Sequence, residues 1–331
     1  MRGVDDDFRH VGIRPQTYVS IRRRPSMSRM PAIRLVGATF QLGRSSTPFG
    51  SASNTDARVD TGVEATKRPH IGIECKTADV RIDLHINQAL APAREVIDCA
   101  VRADHGSYDA LWVLDHLATL RPNENAGEML DPHVLLGAIA VSTSRVRVGV
   151  LVNNVAVRPP EVIAGATATL DHLSGGRAIL GLGAGAGPGS YFAAEHDALG
   201  NTLSGSMTER HDRLFSSLDT IRNIWSADHD TKVRFPKPVS DVPFIVGLNS
   251  LTLARRAANA GCGLNVRADH PRLDEILATA SQSLGDFAAT VWLPYEPGLR
   301  DPDHPRLAAL GDRGVTRVML LTTSRDDILS A

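Results

Sequence analysis

Lysine is nearly missing from this chain. Four lysines stand against 32 arginines among 331 residues. That bias points to a GC-rich genome and not to nucleic-acid binding, because the formal net charge is only −1. Cysteine is equally scarce. Cys75, Cys99 and Cys262 are odd in number and far apart, which argues against a disulfide framework and for a reducing, cytoplasmic compartment. They also lack the paired spacing of a zinc site, so no metal is expected. No stretch approaches the roughly 18 uninterrupted apolar residues of a membrane span, which excludes an integral membrane protein. With 42% hydrophobic and 22% charged residues, the remainder has the composition of an ordinary globular protein.

The small net charge hides an asymmetry. Residues 1–79 carry 13 basic against 8 acidic side chains, and residues 80–331 carry 23 against 29. The basic N-terminal part has no periodicity; Arg22-Arg23-Arg24-Pro25 and the Ser/Pro/Gly-rich run 45–53 cannot bury enough apolar surface to offset the entropy of ordering. It lacks an apolar core for a secretory signal, and Asp5-Asp6-Asp7 argues against a transit peptide. Residues 1–79 are therefore read as a disordered or spurious extension. Translation beginning at Met27, Met30 or later accounts for it equally well, and a functional basic arm is the third reading.

From residue 80 the pattern changes to alternating strands and helices. Runs rich in β-branched and aliphatic residues mark strands at 80–86, 110–114, 146–152, 178–182, 243–247, 263–266, 288–293 and 314–321. Between them lie helix signals. Pro92 opens one helix and Gly106 closes it. Asp131-Pro132 gives an N-cap followed by a first-turn proline, and Pro160 opens a helix that stops at Gly175-Gly176. Ser206 and Glu209 are spaced as a capping box, ahead of a stripe of Leu214, Leu218, Ile221 and Trp225. A further helix covers 250–260. Eight βα units in 252 residues predict an α/β fold, a (β/α)8 TIM barrel over 80–331. A doubly wound sheet is the structural alternative. The eighth helix barely starts before Ala331, which makes closure the weak point.

Three segments together resemble the bacterial luciferase-like family of flavin- and F420-dependent oxidoreductases. They are Tyr108-Asp109-Ala110-Leu111-Trp112-Val113-Leu114-Asp115-His116, then Val148-Gly149-Val150-Leu151-Val152-Asn153-Asn154 with Arg158-Pro159-Pro160, and Ala168-Thr169-Leu170-Asp171-His172-Leu173-Ser174-Gly175-Gly176-Arg177 leading to Gly181-Leu182-Gly183-Ala184-Gly185. The resemblance covers about residues 80–325. It implies a barrel that holds coenzyme F420, the first choice, or FMN at its C-terminal mouth, and hydride transfer or monooxygenation of a small organic substrate. The cofactor supplies that chemistry, and the barrel supplies orientation and electrostatics.

His116 follows Asp115 past strand two and should face the mouth, where an imidazole suits proton transfer near neutral pH; in the F420 branch the matching histidine is catalytic. The competing reading is a structural histidine. His172, on a helix, reads as structural. By the resemblance, the backbone of Leu151-Val152-Asn153-Asn154 forms a bulge with a non-proline cis peptide against the cofactor ring. Asn153 and Asn154 then offer amides to the ring's pyrimidine edge, unless they are only turn-favouring asparagines. Arg158 either meets a phosphate or caps the loop. Gly183, Ala184 and Gly185, with Gly247, Leu248, Asn249 and Ser250, let backbone N–H groups approach the cofactor; tight βα turns explain the same glycines. Asp115 completes the cofactor-binding set.

Two departures matter. The sugar-phosphate dehydrogenases of the F420 branch carry an acid where this chain has Ala186, and an aromatic where it has Leu117-Ala118. Sugar-phosphate oxidation is therefore in doubt. The short connections after strands five to seven point to a reduced lid. A flavin-binding barrel without catalysis is the alternative function. Neither nucleic acid nor membrane is an expected partner, and a homodimer is left open.

Overall fold

The computed structural model describes residues 80–120, 127–226 and 232–331. The expectations for residues 1–79, and Cys75 with them, lie outside the described residues. The unit that contains the described chain spans Ile71–Ala331. Its elements run β1 (Arg81–Ile86), α1 (Ala93–His105), β2 (Ala110–Val113), α2 (Pro132–Ser142), β3 (Arg147–Asn154), α3 (Pro160–Ser174) and β4 (Ala178–Gly183). Then come α4 (Ala194–Ala198), α5 (Met207–Ser226), β5 (Phe244–Gly247), α6 (Leu251–Asn259), β6 (Gly263–Arg267), α7 (Leu273–Leu277), β7 (Ala289–Pro294), α8 (Pro305–Asp312), β8 (Arg317–Leu321) and α9 (Arg325–Ser330). The strands form a closed parallel barrel in sequence order. Closure does not wait for the last helix, because β8 pairs with β1 from Arg81–Arg317 to His85–Leu321.

The strands are buried on both faces, as a parallel barrel requires. In β1, Ile82, Leu84 and Ile86 join the outer core beneath the helices. The alternate positions Asp83 and His85 turn into the barrel. There Ala110, Trp112, Leu151, Ile179, Ile245 and Met319 pack as an inner cluster. At its N-terminal end Asp83 pairs with Arg317 and accepts the Trp112 indole N–H at 2.8 Å. Burial lifts the Asp83 carboxyl to about 6, against the pull of Arg317.

Side-chain staples hold the N-terminal face. Arg177 donates to the carbonyls of Ala140, Thr143, Val146 and Ser174, fastening α2 and α3 to β3. Asp171 accepts from the backbone of Ala178, Val239 and Ser240. His172 bonds the Lys237 carbonyl at 2.9 Å, well away from the barrel mouth. Asp131 caps α2 through the N–H groups of His133 and Val134. The Ser206–Glu209 box is only half made. Ser206 Oγ accepts from Glu209 N, but the Glu209 carboxylate turns to Ser204 Oγ, which also accepts from Ser206 N. Cys99 and Cys262 are free and buried, and burial pushes both thiols to about 11.

Candidate active site

Seven of the eight strands, and the segment that follows β2, send residues to one cavity of about 530 Å³ at the C-terminal mouth, within the size range of ligand pockets. Of the residues singled out in the sequence, Asp115, His116, Leu151, Val152, Asn154, Gly183, Ala184, Gly185, Gly247, Leu248 and Asn249 line it. Asn153 and Ser250 do not.

The β3 strand explains the first exception. The Leu151–Val152 peptide is cis, and the pairing with β4 shifts register between Val150 and Asn153. Consecutive residues 151 and 152 thus both reach the cavity, and the alternation resets. Asn153 is turned away from the mouth and donates Nδ2 to the Gly181 carbonyl at 2.9 Å. Asn154 remains at the mouth. Its Oδ1 accepts from Ala156 N, and no described residue bonds its Nδ2. Ser250 is spent as the N-cap of α6, accepting from Leu253 N, and Leu248 N donates to the Asn265 carbonyl.

Asp115 borders the cavity with its carboxylate already committed. It accepts from Asn154 N at 2.9 Å and from Arg158 Nε at 2.9 and 3.1 Å. Arg158 reaches on to Asp131 at 2.8 Å, so it ties loops together and is not open to a phosphate. The glycines also have a packing task that the sequence did not show. A Cβ on Gly183 would overlap Val152 Cγ2, and one on Gly247 would come within 3.1 Å of Val152 Cγ1. Both positions make room for Val152. Gly185 has φ +78° and faces Asn154 Oδ1 and Ala156, a conformation that suits glycine.

His116 does not stand alone. Its Nδ1 lies 2.9 Å from Glu195 Oε1, while Glu195 Oε2 accepts from Leu117 N at 2.6 Å and Ala118 N at 3.3 Å. Burial works against ionising Glu195, yet the His116 contact and these two N–H groups hold its carboxyl below the usual range. Phe192 stacks on His116, ring centroids 5.7 Å apart and planes 14° from parallel. Sequence reasoning missed both partners. They sit in the β4–α5 connection, where the one available signal was an acid in the apolar run Tyr191-Phe192-Ala193-Ala194-Glu195. An aromatic ring thus lies against His116 although none follows Asp115-His116 in the chain.

The luciferase-like monooxygenase family model matches residues 76–284. The chain belongs to this family. It is 31% identical over 182 residues to an F420-dependent glucose-6-phosphate dehydrogenase of Amycolatopsis mediterranei, covering 51% of this chain and 52% of that protein. An F420-dependent hydroxymycolic acid dehydrogenase of Mycobacterium tuberculosis is 29% identical over 206 residues, with 58% and 55% covered. The chain spans about half the length of the curated relatives it matches. Among solved structures, an F420-dependent secondary alcohol dehydrogenase in complex with an F420-acetone adduct superposes with a TM-score of 0.60 at 17% identity, covering 76% of this chain and 96% of that one. At that identity the likeness is one of fold.

The mouth of this luciferase-like barrel fits a flat heteroaromatic cofactor. Leu114, Leu151, Val152, Leu248 and Trp292 give apolar walls. Asn154 Nδ2 has no described partner, and the buried His85 ring has no well-formed hydrogen bond. No lysine or arginine is among the described lining residues. A phosphate-bearing tail would therefore rest on backbone N–H groups, and those of Gly185, Ala186 and Asn249 donate to no described group. No described helix is long and apolar enough to cross a membrane.

Proposed function

We propose that this chain is an oxidoreductase that binds F420, or in second place FMN, at the barrel mouth and acts on a small uncharged organic substrate. The observation that carries this reading is the His116–Glu195 pair at the edge of the cavity. The bound cofactor would supply hydride or oxygen chemistry. The chain supplies proton handling. Glu195 accepts a hydrogen bond from His116 Nδ1, which leaves Nε2, bonded by no described residue, as the acceptor. Nε2 takes the hydroxyl proton from a substrate being oxidised, or returns one to a substrate being reduced. Phe192 fixes the ring plane. The hydrogen-bonded Asp115 and Arg158 hold the backbone of Asn154 in place. The lack of a cationic side chain in the described lining favours a neutral substrate over a sugar phosphate.

Rapid mixing of the F420-loaded protein with neutral secondary alcohols, and with glucose 6-phosphate, tests this. His116→Ala should slow cofactor reduction about 10²–10⁴-fold with F420 affinity unchanged. Wild-type rates in that variant across pH 5–9 would overturn the acid–base role and leave a binding barrel without it.

A further inference from the structure

The barrel interior holds few polar side chains, and it satisfies four of them. Asp83 is met by Arg317 and Trp112. Asn265 Nδ2 donates to Thr290 Oγ1 at 2.9 Å and lies 3.0 Å from Met319 Sδ, and Thr290 Oγ1 donates to the Leu264 carbonyl. His85 is the exception. It sits at the cavity floor, level with Trp112 on β2 and Leu321 on β8, and is only 4% exposed. Neither Nδ1 nor Nε2 makes a well-formed hydrogen bond within the protein, and the Leu151 backbone offers the ring only a loose one. Burial pushes its pKa down to about 3, a tendency that the hydrogen bond with the Leu151 backbone opposes. A neutral imidazole offers one N–H and one lone pair. Leaving both unmet in a buried place is costly, and buried polar groups are normally paired.

We propose that His85 is a ligand-binding residue of this site, its two ring nitrogens meeting an uncharged donor–acceptor edge of the bound heteroaromatic ring. The inference rests on the reading of the cavity as a flavin or deazaflavin site. Such an edge alternates carbonyl and N–H groups, which a neutral imidazole matches and an imidazolium does not. It also replaces the amide that Asn153, turned outward, cannot provide. The strand alternation that carries Asp83 into the barrel delivers His85 two residues later, one layer nearer the mouth.

Fluorescence titration with F420 and with FMN tests the assignment on the wild-type protein, His85→Phe and His85→Gln, each checked for a cooperative melt. Phenylalanine fills the site without a polar atom and should weaken binding at least tenfold. Glutamine keeps a donor and an acceptor and should stay within about threefold. The ¹⁵N resonances of the wild-type His85 ring should report a neutral imidazole and shift when the cofactor is added. Wild-type affinity in His85→Phe, or ring resonances unmoved by a bound cofactor, would overturn the assignment. Failure of the wild-type protein to bind either cofactor would overturn the cofactor reading itself, a separate result.

Discussion

Glu195 serves three donors with two oxygens, the His116 ring on one and the Leu117 and Ala118 amides on the other. In the proposed reaction it is a positioning residue, acting on the reacting atoms only through His116. An amide in its place would present an N–H to Nδ1 and move the ring proton to Nε2, turning the acceptor into a donor. Glu195→Gln should therefore slow substrate oxidation about 10²-fold or more and distort the pH profile, while Glu195→Asp restores part of the rate. Single-turnover rates between pH 5 and 9 check this. A profile identical to wild type would reduce Glu195 to a loop anchor. His116 was legible as a residue because its place past a barrel strand follows from topology. Its partner was not, since the contact spans 79 positions and the connection bearing it follows a glycine-rich stretch without helical periodicity.

At the scale of elements, β3 and β4 fit each other through one side chain. Val152 fills the space over Gly183 and Gly247, and that interlock sets the cavity wall. Gly183→Ala should displace Val152 at an overpacking cost of about 1–3 kcal/mol. Cofactor affinity should fall by about tenfold while the melt stays cooperative. Unchanged affinity in a fluorescence titration would show that the wall tolerates the methyl group. The eight strands could be read from the sequence because runs such as Val148-Gly149-Val150-Leu151-Val152 are too short and too apolar for anything but buried parallel strands. The direction of Asn153 and Asn154 could not. A register shift inverts the alternation on which any such reading rests, and the extra residue that β3 inserts between Val150 and Asn153 leaves no mark in the apolar pattern.

For the whole molecule, two buried groups give opposing pH dependences. His85 has a folded pKa of about 3, below its unfolded value of about 6.5. The unfolded chain therefore binds the proton first as pH falls from 6.5, and stability is lost across that window. Asp83 is raised to about 6, so the folded state binds its proton first and stability is gained as pH falls from 6 towards 4. The two partly cancel in the wild type. Removing the histidine exposes the other slope. The stability of His85→Phe relative to wild type should rise by about 3 kcal/mol between pH 6.5 and 4, from about 1.4 kcal/mol per pH unit less the rounding at the window's ends. Urea unfolding at stepped pH measures the difference, and a gap independent of pH would mean that His85 titrates normally.

The central claim is that this luciferase-like barrel carries a deazaflavin or flavin at its mouth. The direct measurement is the absorption and mass spectrum of ligand released by denaturing protein purified from a host that makes both F420 and FMN. One of the two is expected at near-stoichiometric amounts, F420 in preference. Protein that releases neither, and that binds neither when each is added back at high concentration, would contradict it.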